Sequence, residues 1–245
     1  MLQNGSFTEG WETLPHVAGF LRNQRPHGWQ LEWLDKGEPL YSDPNSQSGG
    51  VPECVHKLSK QLPANEQLGG ANALILSGDA VYKIFHANAP FGATLSQTVT
   101  GLNPNSQATL TVPIQIHLHN DSDHYAAESG VWVNGEGGWV NGATMGDRKW
   151  YTHEINFTVS ENGEAEIVIR VKSKWPVGKD FFFDDIQLEA ETAVSDPPTP
   201  PVETTTQPET VTIRLPDGYT LSHRVGNTPH VIEVIVPPNV DIILG

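Results

Sequence analysis

Two constellations in the sequence carry residue types that could do chemistry. In QIHLHNDSDH, residues 115–124, His117 and His119 stand two apart, so an extended chain points both to one face, and Asp121, Asp123 and His124 follow. Two imidazoles on one face with a carboxylate behind them are a donor set for a transition metal, the basis of a metal-dependent enzyme. The competing reading is a polar face whose histidines are hydrogen-bonded or solvated. The second constellation is VWVNGEGGWVNGA, residues 131–143, which spells Trp-Val-Asn-Gly twice. An indole offers a flat apolar surface for the face of a pyranose ring, while polar neighbours take the hydroxyls. Trp132 and Trp139 would supply that platform. Gln115, His117, His119 and Tyr125 would supply the hydrogen bonds if they open onto the same cleft.

The elements that must position these residues are strands. Asn-Gly between β-formers signals a two-residue type I′ turn, because both residues tolerate positive φ. Two such turns predict a three-stranded meander with Trp132, Gly137, Trp139 and Thr144 on one side and Val131, Val133, Val140, Ala143 and Met145 on the other. The aliphatic side belongs to the core. The indole side is either a second buried layer closing over Gly137 or an exposed platform. Alternation in Gln107–His119 turns Ala108, Leu110, Val112, Ile114, Ile116 and Leu118 inward and Gln115, His117 and His119 outward. Glu164–Trp175 similarly buries Ala165, Ile167, Ile169 and Val171, and Lys179–Leu188 reads as a closing strand carrying Asp184 and Asp185. Trp29 and Trp33 share a face if extended, with at least one expected in the core.

The 245 residues include 23 glycines and 19 prolines and show no 3.6-residue periodicity, which predicts an all-β protein, a two-sheet β-sandwich. A formal charge of −15 with no basic stripe excludes nucleic acid as a partner. No apolar run approaches the ~20 residues of a membrane-crossing helix, so membrane insertion is not expected. Met1 precedes a segment unlike a signal peptide, consistent with a mature secreted or cell-surface fragment given a start methionine. One cysteine, Cys54, cannot build a disulfide framework. Nothing pairs two carboxyls for glycosidase work among Asp123, Glu128 and Glu136, and no nucleophile has an evident base, so catalysis is not expected. Three segments emerge: a main module over 2–190, a Pro/Thr-rich linker over 191–210, and a small β-rich tail over 211–245. The tail's runs VTIRL, HVIEVIV and VDIIL are too few for a core of their own, and self-association or a downstream domain would cover them.

NGSFTEGW at 4–11, PHGW at 26–29, SQTVTGLNPNSQATLTV at 96–112 and FFFDDIQLEAE at 181–191 together resemble the jelly-roll carbohydrate-binding modules of the CenC-like type appended to bacterial xylanases and cellulases. The resemblance implies non-catalytic binding of a polysaccharide or oligosaccharide, on a concave face or at the loops of one edge, that targets an attached domain. It also implies a structural Ca²⁺ joining the N-terminal segment to the last strand, with Glu9, Asp184 and Asp185 as candidate ligands, although Thr8 stands where the family usually has glutamate. A structural or adhesive sandwich of a surface or fibre protein is the alternative from another class.

Overall fold

The computed structural model describes residues 1–15, 21–41, 43–192, 210–214 and 220–224. The chain divides into two units, Met1–Ala193 and Val194–Gly245. The first opens with the paired strands β1 (Trp11–Thr13) and β2 (Gln24–Pro26), followed by β3 (Gln30–Trp33), the hairpin β4 (Pro39–Leu40) and β5 (Asp43–Gln47), and β6 (Glu53–Leu58). Then come β7 (Ala80–His86), β8 (Phe91–Val99), β9 (Gln107–His117), β10 (Ala127–Val133) and β11 (Glu136–Asn141). The unit closes with β12 (Trp150–Thr158), β13 (Ala165–Ser173), β14 (Lys179–Phe183) and β15 (Gln187–Ala190). One sheet has five strands in the order β11-β10-β13-β8-β3, and the other has the order β12-β9-β14-β7-β6 with β15 continuing beside β9.

Strand alternation builds the core between these sheets. Leu110, Ile114 and Ile116 of β9 and Phe181 and Phe183 of β14 meet Leu95 of β8, Val131 of β10 and Ile169 of β13 in one buried cluster. Phe91 packs edge-on against Phe181 across the gap, with ring centroids 5.9 Å apart. Each such side chain contributes about 1.5–3 kcal/mol by leaving water, so truncating Leu110 to alanine costs about 2–5 kcal/mol. Trp29 is buried in the same core and Trp33 packs against it.

The first Asn-Gly makes the expected turn, with Asn134 at φ 51° and Gly135 at φ 84°, and pairs Trp132 with Gly137. The second does not. Asn141 instead caps one helical turn, Gly142–Met145, its side chain accepting from Thr144 N at 3.2 Å. Gly142 serves there for close approach, since a Cβ would come within 2.5 Å of the His124 carbonyl oxygen. The three-stranded meander is therefore a two-stranded hairpin, because asparagine's capping bond competes successfully with its tolerance of a tight turn.

The closing strand is also interrupted. Phe183 pairs with Ile114 and Gln187 with Thr111, so the last strand takes one residue more than β9 over the same stretch. This is a bulge, with Asp185 at φ 55°. In the second unit a hairpin pairs β16 (Thr210–Arg214) with β17 (Thr220–Arg224). Most of the predicted linker, and the HVIEVIV and VDIIL runs of the tail, lie outside the described residues.

Candidate functional site

Register places the outward side chains of the six-stranded sheet in rows. Trp150, Gln115, Phe182, Lys83 and Val55 form one, and His117, Asp180, Phe85 and Glu53 form the next. The segment 59–79 adds a wall beside this face and leaves a cleft of about 340 Å³. Phe182, Leu62 and Leu74 give the cleft an apolar part, and Lys57, Gln61, Glu66, Lys83, His117, Arg148 and Asp180 ring it with donors and acceptors. A smaller cavity of about 110 Å³ shares Glu66, His117 and Arg148 and adds Gln115 and Asn72.

The wall is fastened from below by the bulge. Asp184 is fully buried, and its carboxylate accepts Leu76 N at 2.6 Å, Ser77 N at 3.0 Å and Asp185 N at 2.7 Å. Burial pushes its pKa up to about 7, with the three N–H donors pulling the other way. Trp150 donates its indole N–H to the Ala73 carbonyl at 2.8 Å, while Leu74 and Ile75 pack with Val81 and Phe182. On the floor, Asp180 lies 3.2 Å from Lys83 Nζ and 3.1 Å from His119 Nε2. His117 shares a 2.9 Å hydrogen bond with Gln115, and burial, aided by the Arg148 charge, pushes its pKa down to about 4. At neutral pH the cleft therefore presents a neutral imidazole between charged neighbours.

The predicted sugar-contacting residues do not share one cleft. Gln115 and His117 line the cavities just described, whereas His119 sits at their margin holding Asp180. Trp132 and Trp139 lie together on the outer face of the other sheet, half-buried, with ring centroids 5.1 Å apart and planes at 80°. They share a face, as strand alternation requires, but nothing within β10 or β11 specifies the sheet that they join. The glycine they cover is Gly130, not Gly137, because Gly130 is the residue opposite Trp139 in the register. Tyr125 is 62% exposed on a short 3₁₀ turn capped by Asp123 and lines neither cavity.

The histidine constellation disperses as well. Asp121 pairs with Lys179 at 2.6 Å, and Asp123 accepts from Tyr125 N at 3.0 Å and from the Trp175 indole at 2.6 Å. Among the described residues no group of three or more His, Cys, Asp or Glu side chains is arranged to hold a metal ion. The calcium candidates are engaged separately. Asp184 has its oxygens on backbone N–H groups, Asp185 accepts from Gln187 at 2.8 Å, and Glu9 is exposed. The N-terminal segment reaches the last strand directly, through Ile186 N to the Gly5 carbonyl at 2.9 Å.

Carbohydrate-binding modules are among the solved structures to which this chain is similar. TmCBM61 in complex with β-1,4-galactotriose is 19% identical over 78% of this chain and 97% of its own, with TM-score 0.47. A carbohydrate-binding module of the β-sandwich superfamily is 13% identical over 66% of this chain and 56% of its own, with TM-score 0.38. A CBM4 structure is 13% identical over 78% of this chain and all of its own, with TM-score 0.36. No family profile and no curated protein sequence matches the chain.

Several cleft residues carried no signal in the sequence. Arg148, exposed at φ 52°, reaches the cleft only because its backbone N–H bonds the Ile116 carbonyl at 2.8 Å. Glu66, Gln61 and Leu74 come from the 59–79 segment, whose NEQLGGANALILSGD has neither strand nor helix period. Asp180 and Phe182 were within reach, since alternation in KDFFFD turns them to the face opposite Phe181 and Phe183.

Proposed function

We propose that this protein binds carbohydrate without transforming it, and that the binding site is the cleft on the six-stranded sheet. The observation that carries the reading is the composition of that cleft, an apolar patch at Phe182 ringed by fixed donors and acceptors. Such a surface suits a sugar, whose ring face is apolar and whose edge bears hydroxyls that both donate and accept. Gln115 and His117 are tied to one another, and Asp180 to Lys83 and His119, so these groups are held in place before any ligand arrives. Arg148 has no ion-pair partner among the described residues and is the side chain free to close on a hydroxyl.

In a secreted or cell-surface protein the module would concentrate an attached domain at a polysaccharide, an effect of local concentration. The test is a glycan array with insoluble-polysaccharide pull-down, comparing the parent protein with Arg148→Ala and Gln115→Ala. Selective retention of the parent, weakened about tenfold in either variant, supports the reading. A parent protein that binds no glycan favours a structural or adhesive role, and binding indifferent to both substitutions places the site elsewhere.

A further inference from the structure

The outer face of the five-stranded sheet carries aromatic rings and a cation that the cleft does not use. Register aligns Trp139, Gly130, Arg170, Thr94 and Glu32 across β11-β10-β13-β8-β3. Gly130 leaves room for the indoles, since a Cβ there would stand 2.3 Å from the Trp132 ring and 3.0 Å from that of Trp139. Gly92 does the same for Tyr41, whose ring would meet such a Cβ at 2.9 Å. Tyr41 is fixed by a 3.0 Å hydrogen bond to Thr94 and lies 5.4 Å from Trp139. Three aromatic rings thus gather on one outer face.

Its cations are not equally compensated. Lys172 lies over Trp139 at 4.3 Å and pairs with Glu128 at 2.8 Å; Lys174 also pairs with Glu128 and approaches Asp43. Arg170 differs. Its guanidinium lies 5.1 Å from the Tyr41 ring centre and 5.3 Å from that of Trp132. Among the described residues it has no carboxylate within ion-pair distance, and its Nε is buried without a hydrogen-bond partner. In a chain of net charge −15, acids were available to pair with it.

We propose that this face is a second ligand site, specific for a saccharide bearing a carboxylate: Trp132 and Trp139 hold the sugar ring, and Arg170 takes the acid. A guanidinium is a planar fork that matches a carboxylate through two parallel hydrogen bonds, and aromatic walls make such a pair stronger than it would be in open water. A neutral sugar would use the indoles and leave Arg170 unanswered. A sulfate can also meet the fork through two oxygens but is bulky out of that plane, whereas a carboxylate is flat and fits between the rings, so a uronic acid is the ligand class chosen. The face lies on the opposite sheet from the cleft, so either site can fail without the other.

The experiment is calorimetric titration with oligomers of galacturonic, glucuronic and mannuronic acid, their carboxyl-reduced forms, and a sulfated oligosaccharide. At least one uronate should bind, with its reduced and sulfated counterparts at least about tenfold weaker. Arg170→Gln and Trp139→Ala should each lose about tenfold or more, Arg170→Lys should fall between, and Arg148→Ala in the cleft should bind the uronate unchanged. Unaltered melting temperatures keep the comparison one of binding; should Arg170→Gln not fold, Arg170→Lys, which keeps the charge over the rings, decides the matter. Failure of every uronate to bind overturns the proposal. So do equal affinity for the reduced form, preference for the sulfated ligand, and a loss in Arg148→Ala without one in the Arg170 variants.

Discussion

Replacing Asn4 by alanine should destabilise the sandwich strongly for the loss of one polar side chain. Asn4 is 1% exposed and held at φ 50°. Its amide nitrogen donates to the Gly10 carbonyl at 3.2 Å and the His27 carbonyl at 3.1 Å, and its Oδ1 accepts from Glu9 N at 2.9 Å. Three part-buried hydrogen bonds at about 1 kcal/mol each, plus about 1 kcal/mol for a left-handed backbone under a Cβ without local hydrogen bonds, sum to about 4 kcal/mol. For a domain of this size 1 kcal/mol moves the Tm by about 2–4 °C, so scanning calorimetry should show a drop of about 8–16 °C. Asn4→Gly keeps the backbone freedom and loses only the bonds, and should recover about 1 kcal/mol. A drop below about 3 °C in the alanine variant, or a glycine variant less stable than it, would refute the reasoning.

Chelation should leave the Tm unchanged if the bond from Ile186 N to the Gly5 carbonyl suffices to join the N-terminal segment to the last strand; a fall on adding EDTA, reversed by Ca²⁺, would count against that. Burial pushes the pKa values of His56, His117 and His153 down to about 4, so the unfolded chain binds protons that the folded one refuses and stability falls from about pH 6.5 toward pH 4. Asp184 has the opposite sign: its pKa, raised by burial to about 7, contributes stability at low pH that is lost as pH rises toward 7. Three histidines outweigh one acid, so urea titrations should show net acid destabilisation, steeper in Asp184→Asn; a flat profile would contradict three buried neutral imidazoles. Asp184→Ala should weaken glycan binding by releasing Leu76 and Ser77 from the cleft wall, and unchanged affinity would mean that the wall does not shape the site.

Local alternation made the sandwich legible. The inward sets of β9 and β13 read directly from the sequence because a strand packed on one face must repeat every second residue. The first Asn-Gly was equally plain, since positive φ at two successive residues admits few sequences. What failed was long-range. Whether Trp132 and His117 share a face depends on which sheets β10 and β9 join, and nothing within either strand records it. The second Asn-Gly failed because the same dipeptide can turn a hairpin or cap a helix, and Asn141 caps Thr144 N. Adjacent Asp184 and Asp185 read as a pair facing opposite ways, but that Asp184 holds the backbone N–H groups of residues 76 and 77 has no side-chain signature to read.

Whether the six-stranded face holds sugar is decided by a crystal structure of the protein with the tightest neutral oligosaccharide from the glycan panel. The ligand is expected in the cleft, a ring face against Phe182 and its hydroxyls within hydrogen-bond distance of Arg148 and His117. Ligand density only at the exposed Tyr125 and Trp175, with the cleft untouched at saturating sugar, would contradict it.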